Sequence, residues 1–288
     1  MTISAYWWVP TRPARTLAGE MVRHGRAWAR MIQANRRISN FGDAVNPLII
    51  KELFDQPVEW APLGSEDMVC IGSVLDNYIR LGGRGKVFGS GSRTGDVQAG
   101  AIDRARIVGV RGKLTARSLG LDEGAAIGDP GLAVRSLTPV VPAQARTGPV
   151  VLPHFTDFVG ERRRAILEIH RAGYDVVLPS AAPLDIAARI AAADHVVTSS
   201  LHAVVFADAL EVPVARLGFA SEAKTEPEYK YEDYRSVFGI ATPRVTTTDI
   251  LDGGLSRTAR DEMDAAVAAI APQVDGVVEG LFQHARSR

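Results

Sequence analysis

The chain holds 288 residues, 46% of them hydrophobic and 23% charged, with 33 basic side chains against 33 acidic ones. That length and composition suit one large or two modest globular domains and exclude a disordered or fibrous chain, and the balanced charge excludes the global positive field that draws a protein to nucleic acid. A single cysteine, Cys70, leaves no internal disulfide and no cysteine-based zinc site, and points to a reducing compartment.

The zero net charge conceals a split. Residues 1–40 carry seven arginines (Arg12, Arg15, Arg23, Arg26, Arg30, Arg36, Arg37) against Glu20, so a +6 segment precedes a −6 body. Across 14–37, Leu17, Met21, Trp28 and Ile32 share one helical side while Arg23, Arg26, Arg30 and Arg37 share another, the pattern of a basic amphipathic helix. A solvated surface helix explains it; the sharper reading is peripheral contact with an anionic membrane face, or closure over an anionic ligand. No run approaches the about 18 to 20 uninterrupted apolar residues of a membrane span, and the first 30 residues lack the apolar core of a signal peptide. The expected location is therefore cytoplasmic, with a peripheral place at the inner membrane face as the alternative.

A strand is expected at Ile3–Trp8. From about residue 65, short β-branched runs alternate with segments of helical period, the mark of α/β units around a parallel sheet. Strands are predicted at Met68–Ile71, Lys86–Gly89, Arg106–Val110 and Ala125–Ile127, with helices at Ala44–Leu53, Val74–Leu81 and Leu114–Leu119. The proline-bearing stretch Thr138–Pro149 reads as a linker. Beyond it the alternation repeats, with strands Val150–Pro153, Asp175–Pro179, His195–Thr198 and Val212–Leu217 and helices Gly160–Ala172, Leu184–Ala193 and Leu201–Leu210. Ser256–Phe282 reads as one or two closing helices interrupted near Pro272. The predicted architecture is two facing Rossmann-like parallel-sheet domains: residues 1–140 with the basic insert at about 12–38, and 141–288 with the closing helices. Ligands in such folds sit beyond the carboxyl ends of the strands.

The phosphate-loop, nucleophile-elbow and zinc-peptidase motifs are all absent. Gly89, Gly91 and Gly95 make a glycine-rich loop after a strand, where a ligand can approach the backbone or the chain can simply turn. Thr198-Ser199-Ser200-Leu201-His202 sets two hydroxyls and an imidazole at a strand-to-helix junction, a place that favours anions and lowers a histidine pKa; a plain helix cap is the bland alternative. Val110-Arg111-Gly112-Lys113 repeats that geometry with cations that call for an anionic partner, or for solvent. Asp129, in Gly128-Asp129-Pro130-Gly131, caps a turn or orients a base. Asp43, in Asn40-Phe41-Gly42-Asp43 ahead of Asn46, caps a helix or binds sugar hydroxyls. Tyr229-Lys230-Tyr231-Glu232-Asp233-Tyr234 reads by itself as a surface loop.

In this order the motifs resemble the polysaccharide pyruvyltransferase family, particularly its short exopolysaccharide members. The matching residues are Asn40-Phe41-Gly42-Asp43 with Asn46, Gly72-Ser73, Phe88-Gly89-Ser90-Gly91, Val110-Arg111-Gly112, Gly128-Asp129-Pro130, Ser200-Leu201-His202 with Ala207-Asp208-Ala209 and Pro213, and Lys230 with Asp233-Tyr234. The resemblance implies a fold similar to GT-B glycosyltransferases. It also implies transfer of a pyruvyl group from phosphoenolpyruvate onto two hydroxyls of a sugar, oligosaccharide or lipid-linked saccharide as a cyclic ketal, with no cofactor and no metal. On that reading His202 and Asp43 are catalytic. Arg111, Ser199, Ser200, Leu201, Lys230, Gly89 and Gly91 bind the donor, and Asn40, Asp43 and Asp129 the acceptor. Many members carry arginine before the Leu-His pair and glycine after it, where this chain has Ser200 and Ala203; Arg111, Lys113, Lys224 and Lys230 are the candidates to replace that cation. A nucleotide-sugar glycosyltransferase of the same shape, or a non-catalytic carbohydrate-binding relative, is the competing expectation.

Overall fold

The computed structural model describes residues 1–8, 40–158, 160–219 and 226–287. The basic segment 12–37 and Lys224 lie outside these residues. Two five-stranded sheets form, both parallel throughout. The first, in the order β2-β1-β3-β4-β5, comprises β1 (Ile3–Tyr6), β2 (Val58–Trp60), β3 (Met68–Val69), β4 (Lys86–Ser90) and β5 (Ile107–Val110). The second runs β10-β9-β8-β6-β7, from β6 (Val150–Leu152), β7 (Asp175–Val176), β8 (Val196–Thr198), β9 (Val214–Gly218) and β10 (Arg244–Thr246). Two facing α/β sheets are thus the observed fold. The three-residue edge strands β2 and β10 are too short to show a periodic pattern. The strand expected at Ala125–Ile127 reduces to one bridge, Val110 to Ala126, because Gly128 at φ 93° turns the chain away.

The helices are α1 (Phe41–Ala44), α2 (Asn46–Phe54), α3 (Leu75–Leu81), α4 (Lys113–Ser118), α5 (Gly160–Arg171), α6 (Pro183–Ala191), α7 (Leu201–Ala209), α8 (Tyr229–Arg235), α9 (Thr247–Leu251) and α10 (Arg257–Arg286). Alternation along the strands sorts their side chains into layers. Ala5, Met68 and Phe88 of the first sheet and Val150, Val196 and Val214 of the second point into one shared core, with Ile49, Val204, Phe206 and Ile270 from helices between the sheets. Tyr6, Val69 and Val87 face a separate outer cluster, and Val151, Val197 and Ala215 another. Because one apolar core joins the sheets, their facing strand ends form one continuous site wall.

Sequence and structure part at two helices. α10 is unbroken, with Pro272 on its solvent side, where a carbonyl deprived of its amide partner can bond water. It is long and apolar enough to cross a membrane by length and composition, yet its stripe Met263, Ala266, Ile270, Val274, Val278 and Leu281 is buried, and it packs on α2 and α7. The expected surface loop Tyr229–Tyr234 is instead helix α8, which buries Lys230, Tyr231, Asp233 and Tyr234.

Candidate functional site

A cleft of about 780 Å³ opens where the carboxyl ends of both sheets meet. On the first side, Asn46 ties the chain down: its amide donates to the Asp43 and Ile71 carbonyls (3.0 and 3.4 Å) and its oxygen accepts from the Ile71 N–H (3.0 Å). Losing such a buried side chain would strand those groups at about 1–3 kcal/mol each. This fixes α1, whose N-cap Asn40 accepts from the Gly42 N–H and donates to Asp43 Oδ2 at 2.6 Å. Asn40 and Asp43 both line the cleft.

On the second side α7 is buried at eight of its nine residues, Leu201 and Ala203–Ala209, Asp208 among them; His202 alone is partly exposed. The imidazole lies against α1 so closely that a Cβ on Gly42 would fall 1.9 Å from its Cγ, so position 42 admits no side chain. A Cβ on Gly72 would stand 3.1 Å from Asp43 Oδ1 and 3.9 Å from His202 Nε2, which brings the carboxylate and the imidazole near one backbone point. Burial first, then the Lys230 ammonium, pushes the His202 pKa down to about 3, so the imidazole is neutral near pH 7. In the free protein the ring is therefore able to accept a proton.

Four residues that no sequence motif singled out also line the cleft: Trp8, Arg93, His154 and Glu226. Asp76 builds the loop after β4, accepting from the Arg93 N–H (2.7 Å), Ser92 Oγ (3.1 Å) and Thr94 Oγ1 (3.0 Å), and thereby presents Arg93. The glycine-rich loop is therefore part of the site through its arginine. Glu226 Oε1 lies 3.2 Å from Arg93 Nη2 and Oε2 2.7 Å from Lys230 Nζ. His154 Nδ1 stands 3.7 Å from Glu226, and burial holds its pKa at about 3, so it too is neutral. A histidine two residues past β6 was the available signal; Glu226 had none, since its arginine partner is 133 residues away. Trp8 stacks on Phe155, ring centroids 4.9 Å apart, so an aromatic pair bridges the two sides.

Several expected ligands prove to be framework. Arg111 is fully buried: Nη2 lies 2.9 Å from Asp233 Oδ2, Nε donates to that same oxygen at 3.0 Å, Nη1 donates to Ser73 Oγ at 2.6 Å and Nη2 to the Ser92 carbonyl at 2.7 Å. Its fork is spent inside the protein, and it reaches the cleft only through Ser73. Gly91 makes room for that guanidinium, since a Cβ there would lie 2.4 Å from Arg111 Cζ, and Gly89 packs on Pro130, so neither glycine offers a bare cradle to a ligand. Asp129 is wholly buried, accepts from the Gly131 N–H and is no acceptor ligand; burial raises its pKa to about 6. Ser199 Oγ is taken by Asp157 and by the His154 N–H, and Ser200 Oγ is buried with no hydrogen-bond partner among the described residues. Lys113 pairs with exposed Glu123 at 3.8 Å. Of the candidate cations for the position of Ser200, Lys230 is the one the described structure sets in the cleft, with Arg93 beside it. Among the described residues no group of three His, Cys, Asp or Glu side chains is placed to hold a metal ion.

Residues 99–220 match the family model described as polysaccharide pyruvyl transferase, which bears out the resemblance drawn from the motifs. An uncharacterized protein of Acanthamoeba polyphaga mimivirus is 26% identical over 118 residues, 40% of this chain and 40% of that protein, so the chain spans well under half of that relative. A solved structure of the wall teichoic acid polymerase TagF aligns over 80% of this chain and 74% of its own, at 11% identity and a TM-score of 0.33.

Proposed function

We propose that this chain, whose residues 99–220 carry the polysaccharide pyruvyl transferase match, moves a pyruvyl group from phosphoenolpyruvate onto two hydroxyls of a saccharide as a cyclic ketal. The observation that supports the reading is the placement of His202, the one partly exposed residue of an otherwise buried helix, in a cleft that Asn40, Asp43 and the cations Lys230 and Arg93 also line. A donor with one phosphate and one carboxylate suits paired cations, and a diol suits a neutral base beside a hydrogen-bonding carboxylate.

In this reading Arg93 and Lys230 hold the donor's anionic end and Asn40 with Asp43 orients the saccharide. A bound anion favours the protonated imidazole, so the donor itself raises the His202 pKa from its low value in the free protein. The imidazolium gives its proton to the methylene carbon C3, leaving C2 with oxocarbenium character. The first hydroxyl oxygen bonds to C2 as His202 takes its proton. The bond from C2 to the phosphate oxygen then breaks, and the second hydroxyl oxygen closes the ring as inorganic phosphate departs with its proton.

His202→Ala should lower kcat by about 10²- to 10⁴-fold, the span of lost general acid–base catalysis, with an unchanged circular dichroism spectrum. Phosphate release from phosphoenolpyruvate with a saccharide acceptor is the assay, run beside nucleotide release from nucleotide sugars. Nucleotide release without phosphate release, or full activity of the variant, would overturn the reading.

A further inference from the structure

The Glu226 carboxylate sits where an anionic ligand would be held. Its side chain is 10% exposed and accepts from Lys230 Nζ at 2.7 Å and Arg93 Nη2 at 3.2 Å. Those two groups come from opposite sides of the cleft, Arg93 from the loop after β4 and Lys230 from α8. Burial alone would raise the Glu226 pKa, but the Lys230 ammonium and the Arg93 guanidinium outweigh it and hold it far below the ordinary carboxylate range. The group therefore stays ionised at every working pH, and protonation does not release it.

With Glu226 in place, the described lining of the cleft carries four carboxylates against three cations, an unfavourable surface for a multiply charged anion. The backbone of Glu226 is pinned separately, its carbonyl accepting from Arg216 Nη2 at 3.0 Å. Departure of the carboxylate thus needs a change of side-chain rotamer rather than a movement of the chain.

We propose that Arg93 and Lys230 form an anion subsite that Glu226 fills in the free protein, and that the phosphate or carboxylate of an incoming donor enters by displacing the Glu226 carboxylate. The inference rests on the pyruvyl-transfer reading for the identity of the donor, but the subsite itself concerns any small oxyanion. Exchange of one anion for another leaves neither cation without a counter-charge, which matters most for buried Lys230. It also makes the resting affinity for simple anions low, since each must compete with a tethered rival.

Titration calorimetry with inorganic phosphate on the full chain tests this. Glu226→Gln removes the charge at constant shape and should bind phosphate at least about tenfold more tightly than the wild type. Glu226→Asp, one methylene shorter, should show a smaller gain, and provides the reading if the first variant does not fold. The double variant Arg93→Met with Glu226→Gln should lose the gain. Equal or weaker phosphate binding by Glu226→Gln, with an unaltered melting temperature, would overturn the subsite. Turnover of phosphoenolpyruvate by the wild type separates the two claims: turnover without the gain removes the subsite and leaves the function, and the gain without turnover removes the function and leaves the subsite.

Discussion

Two arginines of the first half of the chain reach across to acids near the same helix, α8, in different surroundings. Arg111 and Asp233 are both fully buried, their ion pair is 2.9 Å, and Thr115 and Ser73 consume further bonding capacity around them. Arg93 is 51% exposed, its partner Glu226 10%, and the pair opens on the cleft at 3.2 Å. The chemistry of the two pairs is identical, so what separates framework from ligand site is access to water. A desolvated pair has nothing to exchange with. A pair at the cleft wall can trade its internal carboxylate for an external one.

The largest test of that contrast is Arg111→Met, which strands Asp233 in the interior and should cost about 3–5 kcal/mol in urea unfolding. Arg111→Met losing no more stability than Arg93→Met would break the comparison outright. An effect of intermediate size sharpens it on the cleft side. His154 and His202 are held at about 3 from an ordinary 6.5, so each is neutral when folded and takes a proton more readily when unfolded. Their contribution to stability is complete above about pH 6.5 and falls as pH drops toward 3. His202→Gln should therefore flatten the fall of the unfolding midpoint across that window relative to the wild type. The smallest effect belongs to Arg93→Met, which should change stability by less than about 1 kcal/mol because water and salt screen the half-exposed guanidinium. A larger loss there would mean that Arg93 belongs to the framework as well.

The same contrast explains what could be read in the sequence. Arg111 and Gly91 stand at strand ends, where ligands gather in this class of fold, and their short motifs match a transferase family; nothing local reveals that one is sunk against the other at a spacing that leaves no room for a Cβ. His202 was legible because it follows two hydroxyls at a strand-to-helix junction, in a contiguous run that needs no distant partner. Arg93 and Glu226 were not, because their contact spans 133 residues and neither belongs to a recognisable run. The segment Tyr229–Tyr234 has the composition of a surface loop, yet it is a helix that buries Lys230, Tyr231, Asp233 and Tyr234, as Tyr234 to Asp208 (2.8 Å) and Asp233 to Arg111 attest.

By itself the amino-acid sequence determined the alternation of strands and helices, the two-sheet plan and the family likeness, because these follow from hydrophobic period and short contiguous motifs that need no partner. Only the tertiary structure decided which charges are free to meet a ligand. That outcome depends on burial and on pairings between distant segments, and a side chain's chemistry is the same on either side of that boundary until packing removes its water.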